Sequence, residues 1–121
     1  MSADAAIQDL CAAIGVAPRE LPLVLRFERS GDLHIERRGD AIVVYLARHV
    51  PLYRHGVAAA ALQAVHPDRR LPYVVKAAFH GDETLILLAR MREQDVDLPA
   101  LGAITRLLTR LADEAETAGA A

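Results

Sequence analysis

Residues 21–48 read LPLVLRFERSGDLHIERRGDAIVVYLAR, and this stretch decides the fold. It holds three segments rich in Leu, Val and Ile, which are separated by Arg29-Ser30-Gly31-Asp32 and by Arg38-Gly39-Asp40. Glycine supplies the positive φ that tight hairpin turns need. Two consecutive strands joined by so short a turn must be antiparallel neighbours. We therefore predict an antiparallel meander with strands at about 21–28, 33–37 and 41–48.

An amphipathic helix is predicted before the meander, at about residues 4–14. Its apolar residues recur at helical spacing: Ile7, Leu10, Cys11 and Ile14. Gly15 stands where a helix C-cap belongs, and Pro18 forbids the helix from continuing. This helix therefore presents one apolar stripe to the rest of the chain.

A second helix, a second hairpin and a third helix are predicted after the meander. A loop at 49–56 leads into an alanine-rich helix at 57–65, which has high helix propensity. The hairpin spans about 73–91. Asp97 caps the long third helix, whose tail at 117–121 is expected to fray.

The predicted element order is thus α-β-β-β-α-β-β-α. Long amphipathic helices at the two ends of the chain can cover one face of a five-stranded sheet. The fold class that we predict is α+β, with a five-stranded antiparallel sheet in a two-layer, dimeric protein. Residues 1–121 are expected to form a single domain.

Composition and charge exclude several classes of protein. The net charge of −2 gives no basic field that would attract nucleic acid or an anionic membrane. Cys11 is the single cysteine, so the chain holds no internal disulfide and no cysteine-based zinc cluster. Residues 1–13 do not resemble a secretory leader, and no apolar run reaches the roughly 18 residues of a membrane span. We therefore expect a cytosolic protein that binds neither nucleic acid nor membrane.

The sequence contains no recognisable catalytic constellation. The five histidines show none of the spacings that bind metal ions, and the glycines form no phosphate-binding loop. Cys11 lies on the apolar stripe of the first helix, where a cysteine behaves as a small hydrophobic residue. We predict no catalytic residue, no metal ligand and no cofactor. A small enzyme with an unrecognised site remains the alternative.

The apolar content exceeds what one covered sheet face requires. The runs IVVYL at 42–46 and LILL at 85–88 do not alternate between apolar and polar residues, as a strand with one wet face should. Either the middle helix crosses to cover the second face, or another chain covers the exposed apolar surface.

The middle helix at 57–65 favours the second explanation. Its four consecutive alanines permit close approach of a second backbone, and it offers almost no charged side to water. A helix of this kind is either buried within the monomer or packed against its own copy across a two-fold axis. We predict a homodimer with these residues at its interface: Val57, Ala60, Ala61, Ala64 and Val65.

Three features of the sequence together resemble a known family. These are LVLRF at 23–27 followed by SGDLHI at 30–35, the turn at 39–40 into IVVYL, and the late hairpin with its helix. In this order and in a chain of this size, they resemble the class I chaperones of type III secretion systems. The likeness is one of pattern over nearly the whole chain.

The resemblance implies a homodimer formed largely through the middle helix and the adjoining strand. It also implies binding of the extended, N-terminal segment of a secreted effector protein, which would be kept soluble and competent for export. The residues then expected to line the partner-binding pockets are Ile7, Leu10, Ile14, Leu25 and Phe27. Two alternatives stay open: one half of a heterodimeric secretion chaperone, and a dimeric adaptor or regulatory protein of unrelated origin.

Overall fold

The computed structural model describes residues 3–50 and 56–119, and its elements follow the predicted order. Residues 51–55, part of the predicted loop, lie outside the described residues, as do residues 120 and 121. The helices are α1 (Ala3–Ile14), α2 (Val57–Ala64) and α3 (Leu98–Gly119). The strands are β1 (Leu23–Phe27), β2 (Gly31–Arg38), β3 (Ala41–His49), β4 (Val75–His80) and β5 (Thr84–Arg92). Two 3-10 turns lie at Pro67–Arg69 and Glu93–Asp95.

The five strands form one antiparallel sheet in the order β1-β2-β3-β5-β4. The meander predicted from residues 21–48 is confirmed. β5 pairs with β3 along its whole length, from Ala41 opposite Arg92 to His49 opposite Thr84. β1 and β4 are therefore the two edge strands.

The helices cover one face of the sheet and build an aliphatic core there. Alternate strand residues point to opposite faces, and the register groups Ile35, Val44 and Ala89 on the helix side. α3 packs on β3 and β5 and also contacts α1 and α2. The fully buried large side chains are Ile7, Leu23, Leu33, Ile35, Ile42, Leu46, Leu85, Leu87, Leu101, Ile104, Leu108 and Leu111. Burial of each such side chain is worth about 1.5–3 kcal/mol.

α3 extends further than the sequence pattern predicts. The helix continues to Gly119, whereas the tail from 117 onward was expected to fray. The end of α3 lies directly against the start of α2, where a Cβ on Gly119 would come within 2.6 Å of the Val57 Cα. This close backbone contact explains why the last described turn remains helical.

Arg48 is a buried cation that joins three parts of the fold. It points to the helix side of β3 and is only 6% exposed. Its Nε donates to the carbonyl oxygen of Ser30 at 2.8 Å, and its Nη1 donates to Asp113 Oδ1 and Glu116 Oε1 at 2.8 Å each. These bonds fasten the C-terminal half of α3 to the turn between β1 and β2.

Candidate functional site

A groove lies between the C-terminal end of α1 and strand β1, and we call it the α1–β1 groove. Its volume is about 510 Å³. Its lining residues are Ile14, Val16, Arg19, Val24, Leu25, Arg26 and Phe27. The lining is thus aliphatic or aromatic except for two arginines, and both arginines are exposed.

The end of α1 forms one wall of this groove. Gly15 adopts a φ of +79°, its amide donates to the Ala12 carbonyl at 3.2 Å, and the Val16 amide donates to the Cys11 carbonyl at 3.0 Å. These two bonds are those of a Schellman motif, in which a left-handed glycine ends the helix. The motif turns the chain and leaves the Ile14 side chain 39% exposed at the groove.

Strand β1 forms the other wall. Four consecutive residues, 24–27, line the groove although their side chains alternate between the two faces of the sheet. A groove lined from both faces of a strand must run along the edge of that strand. Within the described residues β1 pairs with β2 alone, so the backbone amides and carbonyls of its outer edge have no sheet partner there. Such an edge is a template for an added strand.

The structure brings together three of the five residues predicted to bind a partner. Ile14, Leu25 and Phe27 line the α1–β1 groove, and of these Leu25 is buried and Phe27 is half-buried. Ile7 is buried beneath a neighbouring depression, and Leu10 belongs to the hydrophobic core.

The neighbouring depression is polar and has a volume of about 360 Å³. Its lining residues are Asp4, Ile7, Gln8, Arg19, Glu20, Leu21 and Arg37. Within this depression, Arg37 donates hydrogen bonds to Asp4 Oδ1 at 2.9 Å and to Glu93. Because Arg19 lines both sites, the depression and the α1–β1 groove adjoin at that residue.

Sequence reasoning missed the polar side chains of the groove and one of its apolar residues. Arg19 and Arg26 were not among the predicted binding residues, nor was Val24 on the second face of β1. One signal was available, since the first strand of a meander has a free edge unless another strand inserts beside it. The resemblance did place α1 beside this strand, since residues of both were expected to line the partner-binding pockets.

The predicted interface residues of α2 occupy two different environments. Val57, Ala61 and Ala64 are buried within the chain, where α2 packs on α3. Ala60 and Val65 are half-buried. The outward side of α2 instead presents Leu62, whose side chain is 52% exposed. Any contact between α2 and a second copy would therefore use this outward side rather than the three buried residues.

The sheet face opposite the helices carries a second apolar depression, which we call the open-face pocket. Its volume is about 450 Å³. Its lining residues are Arg38, Val43, Tyr45, Val74, Lys76, Leu88 and Arg90. All of them belong to strands or to the residue preceding β4, so α2 does not cross to cover this face. The apolar runs of β3 and β5 are therefore covered on one face and open on the other.

Hydrogen bonds organise the polar groups beside the open-face pocket. Arg38 donates to Glu36 Oε2 from Nη2 at 3.0 Å and from Nε at 3.2 Å, and these bonds hold the pKa of Glu36 below its usual value. Tyr45 donates its hydroxyl to Glu36 Oε1 at 3.2 Å and stacks on His34 with ring centroids 4.4 Å apart. Burial, aided by the charge of Glu36, raises the pKa of Tyr45.

The described residues offer no cluster of three or more His, Cys, Asp or Glu side chains that could hold a metal ion. Cys11 is buried and unbonded to another cysteine. Among the helices of residues 3–50 and 56–119, none has the length and apolarity needed to cross a membrane.

Comparison with known proteins agrees with this architecture. The family model described as "Type III secretory system chaperone SycN" matches residues 3–116. Chaperone protein SycN of Yersinia enterocolitica is 30% identical over 115 residues, which cover 89% of this chain and 91% of the relative. SycN of Yersinia pseudotuberculosis shows the same identity and coverage.

A solved structure shows the same fold at lower identity. A chain of the heterodimeric ExoU-SpcU complex, from the type III secretion system of Pseudomonas aeruginosa, superposes with a TM-score of 0.66 at 22% identity. The match covers 92% of this chain and 95% of that one. The family match spans nearly all of the sequence, including both walls of the α1–β1 groove, and membership implies a role other than enzymatic catalysis. The chain therefore belongs to the SycN family of type III secretion chaperones.

Proposed function

We propose that this chaperone binds the extended N-terminal segment of a secreted effector in the α1–β1 groove and keeps it soluble and competent for export. The observation that carries the proposal is the groove's position along the outer edge of β1, which has no partner strand in the part of the chain that the structure describes. An extended chain laid there would pair its backbone with the strand edge. Such a chaperone would act in the cytosol, before the effector is exported.

Side chains of the groove would select the segment. In an added strand, alternate side chains face opposite sides of the sheet. Those on the helix side would meet Ile14, Leu25 and Phe27, and favour apolar residues. Those on the other side would pass Val24 and Arg26. The preferred segment thus alternates apolar residues with polar residues, with acidic residues favoured beside Arg26.

The groove is tested by Ile14→Glu in the tagged protein expressed in its native host. A carboxylate placed at the apolar wall loses apolar contact and must be desolvated when a segment binds, so we expect recovery of the co-purifying effector to fall about 10- to 100-fold. Mass spectrometry of the eluate, with limited proteolysis to locate the bound region, measures this.

Leu98→Glu is the matched control, because Leu98 is 36% exposed at the start of α3 and outside the groove. It should leave recovery unchanged. Equal recovery with Ile14→Glu and the unaltered protein would contradict the groove assignment, and a bound region away from the effector's N-terminus would contradict the proposed mode of binding.

We further propose that the chaperone is a homodimer whose interface includes the outward side of α2. The support is the exposed Leu62 on a helix with no charged residue. Leu62→Glu should shift the sedimenting species from about two chain masses to one at micromolar concentration, because an unpaired charge is costly to bury. Gln94→Glu adds the same charge at an exposed position after β5 and should leave the dimer intact. A single-chain mass for the unaltered protein would contradict the homodimer.

A further inference from the structure

The open-face pocket combines apolar and cationic side chains and extends over strands β2, β3, β5 and β4. The register sets Val24, His34, Tyr45, Leu88 and Lys76 in one row from edge to edge on this face. Val74, just before β4, is 82% exposed at the pocket. An apolar depression of this kind on a sheet face is typical of a surface that another element covers.

Charge distinguishes this pocket from the rest of the molecule. Among the residues that the structure describes, its lining contains three cationic side chains, Arg38, Lys76 and Arg90, and no carboxylate. The chain as a whole carries a net charge of −2, so the positive sign is local. Arg38 already forms an ion pair with Glu36. Among the described residues, neither Lys76 nor Arg90 forms an ion pair. The ammonium group of Lys76 and the guanidinium group of Arg90 therefore remain available to an acidic partner.

The position of the pocket restricts what can cover it. Lys76 lies on the edge strand β4, but Val43 and Leu88 belong to β3 and β5, which are paired on both sides. An extended segment that covers Val43 and Leu88 would therefore find no strand edge with which to pair. A helix satisfies its own backbone hydrogen bonds and can lie on such a face. The helices on the other side of this same sheet already do so.

A second copy of the chain is a poor occupant. In a symmetric contact centred on the pocket, the same patch meets itself. Lys76 and Arg90 of each copy would then approach the same cations of the other, and like charges brought together across an interface are destabilising. A partner with negative charge avoids this repulsion.

We propose that the open-face pocket is a docking site for an acidic amphipathic helix of a partner protein. Its apolar residues would pack on Val43, Leu88 and Val74, and its Asp or Glu side chains would pair with Lys76 and Arg90. This site lies on the open face of the sheet and is independent of the α1–β1 groove. A chaperone with both sites can hold an extended segment at its edge and a helix on its face.

The proposal is tested with a synthetic helical peptide of about 18 residues, or five turns. The peptide carries a leucine stripe, flanking glutamates and a single tryptophan. Because the protein contains no tryptophan, fluorescence reports on the peptide alone. Binding to the unaltered protein should be saturable and weakened by salt. The same peptide with lysine in place of each glutamate should bind at least tenfold more weakly.

The double variant Lys76→Glu/Arg90→Glu should bind the glutamate peptide about tenfold more weakly than the unaltered protein does, because two attractions become repulsions. It should bind the lysine peptide more tightly, because two repulsions become attractions. Arg106→Glu/Arg110→Glu makes the same charge change at exposed positions of α3, on the other layer, and should leave both affinities within about twofold. Ile14→Glu should also leave them unchanged, which separates this site from the groove.

Three results would overturn the proposal. The first is equal affinity of the unaltered protein for the glutamate peptide and the lysine peptide. The second is an equal loss of affinity in the α3 control variant, which would show attraction by net charge alone. The third is a change in sedimenting mass caused by Lys76→Glu/Arg90→Glu without any peptide, which would show that a second copy covers this face.

Discussion

Gly31→Ala is expected to destabilise the protein by about 3 kcal/mol, because two separate costs coincide at this residue. Gly31 adopts a φ of +111°, which residues with a side chain rarely adopt. A Cβ there would also lie 2.5 Å from the carbonyl oxygen of Ala47 and 3.1 Å from the Cα of Arg48. Both contacts are with backbone atoms of β3, so neither can be relieved by rotating a side chain.

The control for this variant is Gly39→Ala. Gly39 also has a positive φ, of +61°, but apart from its two chain neighbours no described residue has a heavy atom within 4 Å of the position its Cβ would take. Its substitution should cost only about 1 kcal/mol, from conformation alone. Urea unfolding followed by far-UV circular dichroism, at one fixed protein concentration, gives both values. Equal losses in the two variants would show that the contact with β3 contributes nothing.

Leu108→Ala is the second large effect that we expect, at about 2–5 kcal/mol. Leu108 is fully buried on α3, the helix that contacts α1, α2, β3 and β5. Truncation removes apolar contacts and leaves a cavity that helices fixed on several sides cannot readily close. Thermal and urea unfolding should both report the loss.

Arg110→Ala provides the comparison on the same helix, since Arg110 is exposed. Its effect should stay within about 0.5 kcal/mol. A loss of less than about 1 kcal/mol for Leu108→Ala would contradict the tightly packed core described for α3.

The element order and most strand boundaries could be predicted because their causes are local. Gly31 and Gly39 mark the two turns of the meander, and Gly15 marks the end of α1. The periodicity of apolar residues distinguishes helices from strands within a few turns. Even so, β2 begins at Gly31 rather than at 33, because the strand pairs with β1 up to the turn itself.

The candidate sites depended on contacts between distant parts of the chain. Leu10 and Ile14 lie on one stripe of α1, yet Leu10 is buried in the core and Ile14 remains exposed beside β1. Similarly, Ala61 of α2 is buried on α3 whereas its neighbour Leu62 faces outward. Periodicity identifies an apolar stripe, but the packing of other elements decides which part of it stays accessible.

The sequence by itself determined the α+β class, the order of elements and the family pattern, because turn chemistry and apolar periodicity act over a few neighbouring residues. It also revealed more apolar surface than one sheet face can bury. Only the tertiary structure decided where that excess lies: along the outer edge of β1, on the outward side of α2, and beside Lys76 and Arg90 on the open face. The physical reason is that burial and local charge arise from the stacking of layers, which joins residues far apart in the chain.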